Sequence, residues 1–240
     1  MRSQILLAHT DSPQTLAVMD VKTACSRILR DKNTSDCSFS TAEGREAWRT
    51  ALDAVRAGKL AVDTKFPDGI NRTLLHCAAQ SCSTACVQEL LQLGASPSVR
   101  DDEGSTPMSH AIYFSQYALE KCKLLPAADL NVHNMYGTPL HLAAGALTYL
   151  VQQGHHLAWR QAYIARYVDL LQWMVQQPEC VVDAVNYSRC TALDILGDMA
   201  ETAAARAVVR TAMEQRARWS TLRATWTATV AGAGNIAGGK

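Results

Sequence analysis

Apolar residues between 84 and 96 fall at Val87, Leu90 and Leu91, spaced by three and four, and Gly94 closes the run. That stripe predicts an amphipathic helix with a C-terminal glycine stop. The segment EAWRTALDAVRA at 46–57, followed by Gly58, predicts a second helix by the same logic. Residues 14–30 carry Leu16, Met19, Ala24 and Ile28 at helical spacing, and Glu201 to Trp219 reads as an Ala/Arg-rich helix. Between the periodic stretches lie polar, turn-rich segments, notably 33–40 and 95–104.

One short pattern recurs. GTPLHLAAG occupies 137–145, with weaker copies TLLHCAA at 73–79, TPMSHA at 106–111 and TALDIL at 191–196. The leading threonines, Thr73, Thr106, Thr138 and Thr191, are separated by 33, 32 and 53 residues. Each residue type has a physical use. Thr138 suits an N-cap, where its hydroxyl can accept from a first-turn N–H. Pro139 and Pro107 suit the first helical position, where no intrahelical donor is lost. Leu140 opens the core face, and Ala143 and Ala144 are small enough to let a neighbouring helix approach.

A period near 33 residues carrying T-P-L-H-x-A resembles the ankyrin repeat. The resemblance covers residues 67–200, extends back to about 45, and is fullest at 137–144. It implies an all-α solenoid of about four stacked helix-turn-helix units with hairpin-like fingers, flanked by N- and C-terminal capping helices. It implies that His76 and His141 bond near their caps, so that Thr73, His76, Thr106, Pro107, Thr138, Pro139, His141 and Thr191 are structural. Ala127 to Asn131 resembles the family's G-A-D-V-N with Ala127 replacing the glycine. In the copies, Leu74 and Ala192 stand where Pro is expected, Ser109 and Asp194 where His is expected, and Asn71 at a finger glycine. Asn tolerates the left-handed conformation such a position requires.

The interval before Thr191 is about 20 residues too long, and the excess falls at about 147–167 (LTYLVQQGHHLAWRQAYIARY). Trp159, Tyr163 and Tyr167 are four apart, as on one helix face. Two readings stand: both helices of that repeat are lengthened and the aromatics pack together, or the insertion is a docking knob. The expected organisation is an N-terminal extension with a capping helix (1–40), a repeat domain (41–219), and a flexible Trp/Gly-rich tail (220–240). Gly232, Gly234 and Gly238 make a poor phosphate loop, because no helix follows them in the chain.

Composition adjusts this picture little. The chain has 240 residues, 48% of them apolar, with Lys plus Arg 23 against Asp plus Glu 22. Near-neutral charge argues against a whole-protein electrostatic partner such as duplex DNA. The residues from Glu201 onward are an exception: Arg206, Arg210, Arg216, Arg218, Arg223 and Lys240 face only Glu201 and Glu214. With Trp219 and Trp226 interleaved, that helix could touch RNA phosphates, an acidic protein or anionic lipid, or simply be solvated. No stretch reads as a signal peptide or a bilayer span, so the eight cysteines are expected to be reduced in an intracellular, cytoplasmic setting. His76-Cys77 and Cys82-x3-Cys86 lack the paired spacing of a zinc site, and no nucleophile has an orienting triad. No metal, cofactor or catalytic residue is expected.

By the resemblance, the activity is protein binding through a preorganised concave surface. Its variable positions fall on Arg72, Arg100, Asp102, Glu103, Tyr113, Phe114, Met135, Tyr136 and Tyr187. An adaptor or scaffold, monomeric on its own, is expected. The alternative is a subunit of a larger assembly, such as a ribonucleoprotein, held by the insertion and the basic helix.

Overall fold

The computed structural model describes residues 42–66, 69–113, 117–153 and 158–234, leaving aside the side chains of 42–47, 158–160 and 226–234. The expected helix at 14–30, Phe114, the His155-His156 pair, the side chains of Trp159 and Trp226, and residues 235–240 lie outside the described parts. The chain forms two compact units, divided between Met135 and Tyr136.

The described part of the first unit begins with α1 (Ala42–Arg56). Gly58, at φ +67°, ends it as a left-handed residue and lets the Lys59 and Leu60 amides turn back onto the Ala54 carbonyl at 2.9 and 3.2 Å. Two helix pairs follow: α2 (Leu74–Ser81) with α3 (Thr84–Gln92), then α4 (Pro107–Ile112) with α5 (Ala118–Cys122). Trp48, Ala51 and Leu52 of α1 share one core with Phe66, Leu74, Leu75, Val87 and Leu90. None of these helices could hide its apolar stripe alone; α2 stacks on α4 and α3 on α5. Ala78, Ala79 and Ala111 are fully covered at the first-helix contact, where their small size allows the close approach. Ala127–Asn131 forms a 3-10 turn. Lacking the family's glycine, Ala127 takes no left-handed conformation, and the chain instead tightens so that Asp129 N–H donates to Pro126 O at 3.0 Å.

The second unit contains α6 (Pro139–Gln152), α7 (Ala158–Gln176), α8 (Ala192–Leu196), a 3-10 turn (Ala200–Thr202) and α9 (Ala203–Gly234). Here α6 packs on α7 and α8, and α9 packs on α7. The extra residues of this repeat are spent on helix: α6 has 14 residues against 8 in α2, and α7 has 19 against 9 in α3. Arg216 fastens α9 to the end of α7, its guanidinium donating to the carbonyls of Gln177 (2.7 Å), Val175 (3.4 Å) and Pro178 (3.3 Å). These carbonyls lie at the negative end of a helix, where a cation is stabilised.

The structure differs from the sequence expectation at 220–234. In place of a flexible tail from 220, α9 continues to Gly234. Between Ser220 and Ala231 the chain has no Gly or Pro, so nothing interrupts a helix already propagating from Ala203.

Candidate functional site

Two of the repeat motifs begin with a buried clamp. In α2, Thr73 N–H and hydroxyl both donate to His76 Nδ1, at 3.1 and 2.8 Å. An Nδ1 that accepts a backbone N–H leaves the ring proton on Nε2, which donates to Ser105 O at 3.1 Å in the next finger. His76 therefore ties its own cap to the following repeat. His141 repeats this in the second unit, with Thr138 at 3.2 and 2.7 Å and Cys190 O at 3.0 Å. Asp194 replaces half of the device, accepting Thr191 N–H at 2.8 Å and the Thr191 hydroxyl at 2.7 Å. Both bonds hold its carboxyl below the usual range. The copy led by Thr106 is different. With Ser109 at the histidine position, the buried Thr106 and Ser109 hydroxyls find no hydrogen-bond partner.

His110, one residue further on, forms a network that the motif did not reveal. Its Nε2 lies 2.7 Å from Asp101 Oδ2, while Asp101 Oδ1 accepts Glu103 N–H (3.0 Å) and Ser105 N–H (2.8 Å). The His76 and His110 rings meet edge to face at 5.3 Å. His76, Asp101 and His110 offer ligand atoms within 4.8 Å of one another. They are poor metal ligands, because both His76 nitrogens and both Asp101 oxygens already serve hydrogen bonds that hold the finger. Asp101 was not singled out in the sequence; its only signal was its place as the first residue of the polar DDEG turn.

Burial, reinforced by neighbouring His110, lowers the His76 pKa to about 4. A histidine depressed from about 6.5 stabilises the fold fully above its unfolded value and loses that contribution as pH falls from about 6.5 towards about 4. Asp101 acts in the same direction at lower pH. Burial raises it, but the His110 and Ser105 hydrogen bonds leave it lowered overall; Asp129, raised by burial, opposes. Chemical denaturation at about pH 7 and about pH 4 should show a loss on the order of 3 kcal/mol. His76→Gln should flatten that slope.

The finger built on Asp101 has a counterpart in the second unit. Asn186 Oδ1 accepts the Ser188 and Cys190 amides at 2.9 and 3.0 Å, and Arg189 (φ +60°) stands where Gly104 (φ +76°) stands in the first unit. In the first unit the preceding finger runs alongside. Asn71, at φ +56°, donates through Nδ2 to Asp102 Oδ2 at 2.7 Å, and Asp102 N–H donates to Ile70 O at 2.9 Å.

These clamps leave other side chains outside. Tyr113 is 41% exposed, Met135 53%, Tyr136 51% and Tyr187 77%. Arg100 and Asp102 are exposed and Glu103 half-buried. Two expectations need correction. Arg72 is buried at 8% exposure, because its guanidinium folds back to donate to Gln80 Oε1 at 2.9 Å; it is not a surface contact. Tyr167, which the docking-knob alternative placed at the surface, is 2% exposed, one of the buried residues of α7 with Leu170 and Leu171, and α7 packs against α6 and α9. Tyr163 is half-buried, with the Arg166 guanidinium 5.3 Å from its ring centre.

Paired helices whose first members begin on a Thr clamp, joined by Asx-turn fingers, define a helical repeat protein. The family model described as ankyrin repeats (3 copies) matches residues 50–134 and 75–160. Residues 50–160 of the chain are ankyrin repeats, which generally mediate protein–protein interaction. No helix among the described residues is long and apolar enough to cross a membrane.

Proposed function

We propose that this protein is a non-enzymatic adaptor or scaffold that binds a protein partner through its finger residues. The observation that carries the reading is a division of labour. The Thr and His residues of the repeat motif are buried in hydrogen bonds, whereas Tyr113, Met135, Tyr136 and Tyr187 hold large apolar groups 41–77% exposed. Large aromatic side chains on rigid supports supply much of the affinity at protein interfaces. Arg100, Asp102 and Glu103 add polar contacts that set orientation, and Phe114 follows Tyr113 in the chain. The protein acts as a monomer, inside the cell, without a cofactor. The double substitution Tyr113→Ala/Tyr136→Ala should reduce partner recovery in affinity capture at least about tenfold while the melting curve is retained. Unchanged recovery with the fold intact defeats the assignment.

A second reading rests on α9, where Trp219 is 70% and Leu222 59% exposed beside exposed Arg210, Arg218 and Arg223. That face suits a subunit held in a larger assembly. Salt-sensitive RNA binding that disappears on deleting 217–240 would favour it over the adaptor.

A further inference from the structure

The support beneath α9 stops before the helix does. Ala205, Val209 and Ala212 bury one stripe of it, and Arg216 fastens it to the carbonyls at the end of α7. From Ala217 to Thr225 every residue is exposed, yet the helix runs unbroken to Gly234. These exposed turns have two unlike sides. At about 100° per residue, Trp219 and Leu222 lie about 60° apart on one side, and position 226, a Trp in the sequence, falls between them. Arg218 borders this stripe beyond Leu222, and Arg223 borders it beyond Trp219; both are exposed. The remaining side carries Ser220, Thr221 and Thr225 and no charge. Their hydroxyls donate to carbonyls of the same helix: Ser220 to Ala217 O at 2.8 Å, Thr221 to Ala217 O at 3.0 Å, and Thr225 to Leu222 O at 2.8 Å.

The sign of the charge and its placement select the occupant. In a second copy the same arginines would face each other, and residues 215–240 hold no Asp or Glu to pair with them. A nucleic acid offers phosphates to Arg218 and Arg223 but little apolar surface to Leu222. A protein groove would cover the flanks as well, where the bonded hydroxyls of Ser220 and Thr225 have no donor left to give it. An anionic lipid surface meets the stripe and both of its margins at once and leaves the neutral side in water.

We propose that the exposed end of α9 is a membrane-interface segment, which lies along an anionic lipid surface with Trp219 and Leu222 set among the acyl chains. Arg218 and Arg223 reach lipid phosphates and carboxylates at headgroup level, while their methylene stems cover apolar surface. An indole suits that depth, being an apolar ring with one N–H donor. A helix that lies in the interface needs an apolar side and cationic neighbours, not the length and hydropathy of a bilayer span. No helix among the described residues has those of a span. Attachment through so few residues is reversible and depends on lipid charge. This inference goes beyond the partner-binding reading of the fingers and stands without it.

The test uses the full chain and sedimented vesicles. Vesicles of phosphatidylcholine with about 30% phosphatidylserine should bind it at least about tenfold more tightly than phosphatidylcholine alone, and added salt should weaken the difference. Trp219→Ala/Leu222→Ala should lower binding to the anionic vesicles at least about tenfold. Arg218→Gln/Arg223→Gln should abolish the preference for anionic over neutral vesicles. All four positions are exposed, so the melting curve should match that of the unaltered chain for both variants. No binding to anionic vesicles, or equal binding by the Trp219→Ala/Leu222→Ala variant, would overturn the proposal. Binding to polyuridylate RNA without binding to vesicles would overturn it too and assign the arginines to phosphodiesters.

Discussion

His76→Ala should cost the first unit roughly 3–4 kcal/mol. The substitution strands Thr73 N–H and the Thr73 hydroxyl in a buried site, removes one of the two donors to Ser105 O, which keeps the Asp101 N–H at 3.0 Å, and opens a cavity beside His110. Buried polar groups left without partners cost about 1–3 kcal/mol each, so the loss exceeds what the apolar volume alone would give. His141→Ala should behave alike in the second unit, where Thr138 N–H and hydroxyl are stranded and Cys190 O keeps only the Asn186 N–H. Ser109→Ala is the informative control. The Ser109 hydroxyl is buried without a partner, so its removal should leave stability unchanged or raise it by up to about 1 kcal/mol. Urea unfolding followed by amide exchange in the affected unit reads all three.

Gly137→Ala should be about as damaging, at roughly 3 kcal/mol, for a different reason. Gly137 adopts φ +120°, which side-chain-bearing residues rarely do, and a Cβ there would meet His141 Cγ at 2.9 Å and Asn186 Cβ at 3.0 Å. Relief requires the His141 ring to move off Thr138 N–H and Cys190 O, so backbone strain and loss of the clamp combine. Gly94→Ala separates the two effects. Its φ is +87° with nothing within 4 Å of the new Cβ, and the expected cost is only about 1 kcal/mol. Equal losses at the two positions in the same unfolding measurement would show that crowding against His141 contributes nothing.

The Thr-led helix starts, the glycine stops and the lengthened pair at 139–176 were legible because each rests on local chemistry. A cap, a first-position proline and a left-handed glycine announce themselves within a few residues. Asn71 at φ +56° belongs with these. What was not legible depended on partners far along the chain. His110 binds Asp101 nine residues away, and Lys121 buries its ammonium against Ala79 O, 42 residues away. Nothing in the spacing of a lone Lys or His marks such a partner. Arg72 failed as a surface residue because Gln80, one helix later, offers its amide oxygen. Tyr167 failed because period-four aromatics look the same whether they point to solvent or core. The helix beyond Trp219 is hidden in the sequence because Gly232 and Gly234 signal a flexible end, whereas the stretch 220–231 before them holds no Gly or Pro.

The most direct test is hydrogen–deuterium exchange on the full chain, free and bound to a partner recovered by affinity capture. Protection on binding should appear at the finger segments 100–105, 135–136 and 185–189, while the amides of Thr73 and Thr138, buried in hydrogen bonds to His76 and His141, should stay unchanged. Protection confined to 217–234, with the fingers exchanging as in the free protein, would contradict the adaptor reading.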